Sequence, residues 1–219
     1  MAEPIVMCHS AGKDSLMSLY ELAQQDRYRV AALVTTVTAE YDRVSMHGLR
    51  RSLLHQQAEA LGLPLTEATI PRQASNELYE SAMGKVFSRF HDQGIRRVAF
   101  GDIFLEDLRA YRERQMAALD MQCLFPIWQR ETRELAATFV ELGFRAVTTC
   151  VDPSKLDQSF AGREIDRSFI DDLPDDVDPC GENGEFHSFV FDGPNFEHGI
   201  DITPGEIVCR DSFLYCDVV

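Results

Sequence analysis

The chain has 219 residues, 45% hydrophobic and 26% charged, the balance of a globular protein with one good core or a main domain and an appendage. A formal charge of −15 and a pI near 4.7 argue against unaided binding to a nucleic-acid backbone or an anionic membrane. The six cysteines are scattered with no C-x-x-C pair, no basic-then-apolar leader opens the chain and no apolar run is long enough to span a bilayer. A cytoplasmic protein with reduced thiols is therefore expected.

Residues 5–8 form an apolar run of strand length, and helical spacing takes over at Leu16, Leu19, Tyr20 and Ala23. Between them lie Ser10-Ala11-Gly12-Lys13-Asp14-Ser15, small side chains around one lysine. Asp14 and Ser15 are N-cap candidates for the helix. A strand turning tightly into a helix aims unpaired N–H groups and the positive end of the helix dipole at one spot, which suits phosphate. Gly12 permits close approach and Lys13 adds a full charge. This is not a Walker A loop, which would have Ser or Thr where Asp14 stands.

Residues 29–37 read as a buried strand, too apolar to alternate. A polar loop and a helix ending at Leu61 follow, with Gly62 placed to cap it and Pro64 to stop it. Residues 65–70 are a third strand, and residues 77–93 a helix with Leu78, Ala82, Val86 and Phe90 in register. Residues 97–100 make a fourth strand ending at Gly101-Asp102, and residues 105–119 a helix. Residues 123–128 are extended, 132–142 helical and 144–150 a strand. This alternation predicts an α/β domain with a parallel sheet wrapped by helices. Ligands bind such sheets at the carboxyl ends of the strands, where both the 10–15 loop and Gly101-Asp102 fall.

Beyond Asp152 the pattern changes. Residues 166–178 read as a solvated acidic connector, and residues 186–191 and 206–215 as strands. The expected division is 1–128 for the nucleotide-type domain and 129–219 for a smaller α+β domain. In the latter, Glu182 and Glu185 stand three apart among glycines, just before an aromatic strand. The glycines expose backbone amides, and the carboxylates suit an ammonium, a hydroxyl or Mg²⁺.

Ser10 to Ser15 resembles the S-G-G-K-D-S pyrophosphatase loop (PP-loop) of enzymes that cleave ATP between the α- and β-phosphates. Gly181-Glu182-Asn183-Gly184-Glu185-Phe186-His187-Ser188-Phe189, followed by Asp192-Gly193-Pro194-Asn195-Phe196, resembles the G-E-G-G-E-F-E-T-F…D-x-P-x-F signature of the diphthine–ammonia ligase family. Gly101 with Arg109 and Glu113 resembles its G…R…E segment, Leu156-Asp157…Gly162-Arg163…Asp166 its L-D…G-R…D segment, and Met46-His47 also fits. The resemblance runs from about Val6 to Phe196, with the motifs in matching order. Three positions depart from it. Ala11 and Asn183 replace glycines, and His187 replaces a glutamate. The segment from Gly101 to Glu113 is more similar to bacterial relatives, and bacteria do not make diphthamide.

The resemblance implies a sheet of the adenine nucleotide alpha-hydrolase (HUP) type and amide synthesis driven by ATP. A carboxylate attacks the α-phosphate, pyrophosphate leaves, and ammonia displaces AMP from the acyl-adenylate. It implies that Ser10, Ala11, Gly12, Lys13, Asp14 and Ser15 bind the phosphates, with Lys13 and Asp14 catalytic. Val34, Thr35, Thr36, His47, Gly101 and Asp102 would complete the nucleotide site, and Asp14 or Asp102 would hold Mg²⁺. Arg109, Glu113, Gly181, Glu182, Asn183, Gly184, Glu185 and Phe186 would hold the acceptor or ammonium. Lys13→Ala is expected to abolish turnover with the fold intact. The acceptor is a diphthine-bearing elongation factor or a small acid, free ammonium is the expected nitrogen source, and self-association stays open. A non-catalytic nucleotide-binding sensor of the same fold is the alternative.

Overall fold

The computed structural model describes residues 2–45 and 47–219; Met46 of the Met46-His47 pair lies outside them. The chain order is β1 (Glu3–Cys8), α1 (Lys13–Ala23), β2 (Tyr28–Thr38), β3 (Arg43–Val44), α2 (Arg51–Ala60), β4 (Leu65–Ile70), α3 (Asn76–Asp92), β5 (Arg97–Ala99), α4 (Glu106–Ala117) and β6 (Gln122–Leu124). Then come α5 (Thr132–Glu141), β7 (Arg145–Val151), a short α6 (Arg167–Asp171), β8 (Phe186–Asp192), β9 (Pro204–Arg210) and β10 (Phe213–Val218). β1 lies between β2 and β5, and β4, β2, β1, β5 and β6 pair in parallel, with only β3 antiparallel at the β2 side. Strands buried on both faces need no alternation, which is why β1 and β2 read as unbroken apolar runs.

One face of this sheet packs Val6, Val34 and Val98 against Met83, Val86, Phe87 and Phe90 of α3 and Met116 of α4. The other packs Ile5, Met7 and Leu33 against Leu16 and Met17 of α1 and Leu135 and Phe139 of α5. This second core continues without a break into Phe160, Phe169, Phe186 and Val190 of the C-terminal third. The architecture is the parallel sheet of the HUP type with a smaller α+β unit behind it.

Four sequence expectations change. The strand at 144–150 does not join the parallel sheet; as β7 it pairs antiparallel with β8 and β10. Residues 206–215 are two strands, β9 and β10, because Asp211 and Ser212 (φ 49° and 69°) turn the chain between them. Leu78 is exposed, since the inward face of α3 is carried by Met83, Val86, Phe87 and Phe90. The 166–178 connector is anchored: Asp166 caps α6 by accepting from the Phe169 amide at 2.8 Å, and Phe169, Ile170, Leu173 and Val177 are buried. A run of acidic residues masked that apolar spacing.

The two sheets meet behind the 10–15 loop. The Val190 amide of β8 donates to the Ala11 carbonyl at 3.0 Å. Gln57 of α2, fully buried, donates through Nε2 to the carbonyls of Ala11 (3.1 Å) and Val190 (2.6 Å). Its Oε1 lies 2.6 Å from His9 Nε2, so that nitrogen carries the proton. Gln57→Leu would take this partner from the Val190 carbonyl and His9 Nε2 in the interior, leaving the Ala11 carbonyl only the Val190 amide, at a cost of roughly 2–4 kcal/mol. Urea unfolding of the variant should show that loss; a change below about 0.5 kcal/mol would mean that the joint carries no load.

Candidate active site

The phosphate-type loop is built differently from its sequence reading. α1 begins at Lys13 with Gly12 as N-cap, and no side chain caps it. Asp14 and Ser15 are therefore not caps. Ser15 Oγ turns back to accept from the Ser10 amide at 3.1 Å and meets Ser10 Oγ at 3.0 Å. Ala11 sits at φ 67°, a left-handed conformation that costs alanine about 1–2 kcal/mol. Its fully buried methyl, in the cluster with Leu54 and Phe189, recovers roughly 0.8 kcal/mol of that. A side chain at Gly12 would be crowded, since a Cβ there would lie 3.1 Å from the Ser188 carbonyl oxygen.

Lys13 is almost fully buried. Its amide donates to Ser188 Oγ at 3.2 Å, and its Nζ to Asp14 Oδ1 at 2.5 Å and to the Cys180 carbonyl. Burial opposes the ammonium, but the Asp14 carboxylate and the surrounding groups outweigh it and hold Lys13 charged. Burial also pushes the Asp14 carboxyl up, with Lys13 offsetting this only in part. Because Lys13 ties the loop to the second unit, replacing it by alanine would cost stability as well as charge, contrary to the expectation of an intact fold.

A cleft of about 310 Å³ opens at the carboxyl ends of β1, β2 and β5. Of the expected residues it brings together Ser10, Gly12, Asp14, Ser15, Val34, Thr35, Thr36, His47, Gly101, Asp102, Gly181, Glu182, Gly184 and Phe186. Gly101 lets β5 end against the loop, since a Cβ there would meet Asp14 and Ser15 backbone atoms at 3.1–3.2 Å.

Other expected residues lie elsewhere. Arg109 stacks over Phe125 and Trp128 (5.0 and 4.7 Å) and pairs with Glu113 at 2.8 Å on the outer face of α4, outside the cleft lining. Glu185 points inward and accepts from the Asp178 amide and from the Asn183 amide and Nδ2 at 3.0–3.1 Å, which organises the 178–185 turn. Asp102 is gripped through both oxygens by Arg112 Nε (2.5 Å) and Nη2 (3.1 Å). Its charge is thus already matched, which weakens it as a metal ligand. Among the described residues no group of three or more His, Cys, Asp or Glu side chains is placed to hold a metal.

Sequence reasoning missed His9, Tyr79, Phe100, Arg112, His187 and Ser188 as lining residues. His9 directly precedes the loop motif, and Arg112 stands one residue from the expected Glu113 and three from Arg109; residues three apart share a helix face, so helical spacing did not separate Arg112 from that pair.

Two family models account for most of the chain: the diphthamide synthase N-terminal domain matches residues 3–123, and the diphthamide synthase C-terminal domain matches residues 131–218. The chain belongs to this family. It is similar to diphthine–ammonia ligase of Danio rerio, with 26% identity over 95% of this chain and 90% of the relative. To diphthine–ammonia ligase of Homo sapiens the identity is 22%, over 95% and 86%. The Schizosaccharomyces pombe protein of the same name is 24% identical over 94% of this chain but only 37% of its own length. No helix among the described residues is long and apolar enough to cross a membrane.

The family cleft holds unusual charge states in this chain. Burial lowers His9 and His187 to about 4 and holds His47 well below its ordinary value, with the neighbouring His187 adding to the effect. The His47 and His187 rings lie 4.4 Å apart. Glu182 accepts from the Ile103 amide at 2.8 Å, yet burial raises its carboxyl to about 7. A carboxyl raised in the folded state adds stability at low pH and loses it as pH rises through the folded value. Wild type should therefore lose more melting temperature than Glu182→Gln between about pH 5 and about pH 8. Parallel curves would show that Glu182 ionises normally. The histidines have the opposite sign: their contribution is full above about pH 6.5 and is lost as pH falls toward about 4. His187→Gln should flatten the acid limb of the same curves, and an unchanged limb would show that His187 is not held neutral.

Proposed function

We propose that this chain is an ATP-dependent amide-forming ligase that adenylates a substrate carboxylate, releases pyrophosphate and amidates the acyl group with ammonia. The observation that carries this reading is the closure of one cleft by two motifs, the 10–15 loop and the 181–188 segment, from opposite ends of the chain. On this reading residues 1–128 bind the nucleotide and residues 129–219 present the acceptor. The six free thiols fit a cytoplasmic setting.

Adenine would lie against the Val34–Thr36 backbone, with the ribose over Gly101. The start of α1, with its helix dipole, faces the phosphates, and Lys13 lies just beneath. Mg²⁺ fits the donors available: Asp14 offers carboxylate oxygens, and Mg²⁺ is ordinarily held by one or two carboxylates, phosphates and water. When bound, it would neutralise phosphate charge.

The acceptor carboxylate attacks the α-phosphorus, forming the acyl–O–P bond as the bond to pyrophosphate breaks. Ammonia then adds to the acyl carbon, and AMP leaves with the electron pair of the acyl C–O bond. Glu182, poised near neutrality between the loop and the 181–184 turn, is placed to take the proton shed by the attacking amine. The nitrogen source is free ammonium, and the acceptor is either a diphthine-bearing elongation factor, as the relatives' names indicate for them, or a small carboxylic acid.

The test is pyrophosphate and AMP release from ATP with Mg²⁺ and ammonium, across carboxylic acids that include diphthine-bearing elongation factor. Acid-dependent release is expected, and Lys13→Met, which keeps the buried alkyl volume, should lower it by more than about 100-fold. ADP and phosphate as products would overturn the reading. Bound ATP that no acid causes to be cleaved would favour the sensor.

A further inference from the structure

The cleft has a charge problem. It is lined by the carboxylates of Asp14, Asp102 and Glu182, and its three histidines are held neutral. The Lys13 ammonium is not on the lining; it is buried beneath the wall, bonded to Asp14 and the Cys180 carbonyl. Among the described residues that line the cleft, Arg112 alone carries a permanent positive charge.

Arg112 is also held unusually firmly. Asp102 takes its Nε and Nη2, and its guanidinium lies over the Phe100 ring at 4.6 Å. A guanidinium has five N–H donors in a fixed fork. Asp102 engages two of them, and the Tyr79 hydroxyl beside Arg112 can take a third, so two remain for a ligand. A planar fork fixed by a carboxylate and an aromatic face is preorganised for bidentate contact with an oxyanion. Its tether also places it. Asp102 follows Gly101, which sits against the backbone of Asp14 and Ser15 at the start of α1. Arg112 thus lines the cleft at the end of β5, beside Asp102 and the Phe100 ring.

We propose that Arg112 is a phosphate-holding residue of the nucleotide site, and that Asp102 is its positioning partner and not a metal ligand. The inference rests on the nucleotide reading of the cleft but not on amide formation. The pair serves two ends: Asp102 aims the fork, and its charge keeps the empty cleft from carrying an unmatched cation.

The test is equilibrium binding of ATP, AMP and adenosine, at fixed Mg²⁺, to wild type, Arg112→Lys, Arg112→Met, Asp102→Asn and the double variant Asp102→Asn/Arg112→Met. The double variant matters because Arg112→Met alone leaves a buried carboxylate unpaired and can unfold the chain. The expected result is at least a roughly tenfold loss of ATP and AMP affinity in Arg112→Met and in the double variant, with adenosine binding kept. Arg112→Lys should recover part of the loss, and Asp102→Asn should weaken ATP without shifting the Mg²⁺ concentration it needs. Unchanged ATP affinity in the double variant would overturn the proposal, as would an equal loss for adenosine. A shift of roughly tenfold or more in the Mg²⁺ requirement of Asp102→Asn would restore Asp102 as a metal ligand and overturn its positioning role. If ATP fails to bind wild type, the nucleotide reading falls and this inference with it. Failure of amidation with ATP binding intact would leave it standing.

Discussion

The site depends on the satisfaction of one backbone carbonyl. Ala11 holds the loop in a left-handed turn, and its carbonyl faces the interior, where it accepts from the Val190 amide and from Gln57 Nε2. Val190 belongs to β8 of the second unit, and Gln57 to α2 of the first. An unpaired buried carbonyl is costly, and these two donors, one from each unit, occupy both of its lone pairs. The loop that would cradle phosphates is therefore shaped by a strand more than 170 residues away in the chain. The continuous core through Phe186 and Val190 makes the same point with apolar atoms. Neither half can form this cleft alone.

That dependence explains the electrostatics. Bringing β8 against the loop buries His9, His47 and His187 together, and desolvation removes their charge. What is left in the cleft is polar but short of cations, with Asp14 and Glu182 raised by the same burial. The deficit of positive charge would suit a divalent ion entering with a polyphosphate, and it leaves Arg112 as the one permanent cation among the described lining residues. The overall charge of −15 works in the same direction, since it disfavours long-range attraction of free anions.

The sequence was most legible where local chemistry dominates. β4 falls on residues 65–70 as read, and Gly62, placed to cap α2, does adopt a positive φ (63°). It was least legible where a tertiary contact decides. Nothing in the run 206–215 announces a hairpin, because Asp211 and Ser212 are turn residues that a strand end also tolerates. β7 follows a helix as a parallel strand would, and only its partners reveal otherwise. Within the site, Glu182 and Glu185 look equivalent in sequence. The turn formed by Gly181 and Gly184 sends one carboxylate to the cleft and the other into the loop's own hydrogen bonds.

The three departures from the family signature are each absorbed by a specific contact. The extra methyl of Ala11 fills space in the cluster around Leu54 and Phe189, which offsets its backbone strain. Asn183 replaces a glycine and gains a hydrogen bond from Nδ2 to Glu185, so the side chain stiffens the turn it might have disturbed. His187 replaces an acidic residue and packs at a tilt against His47, neutral and facing the cleft. The first two changes reinforce the loops and leave the lining alone. The third alters the lining itself by removing a negative charge beside the acceptor segment. The exchange of a carboxylate for a neutral imidazole is thus the one departure of the three that reaches the cleft wall.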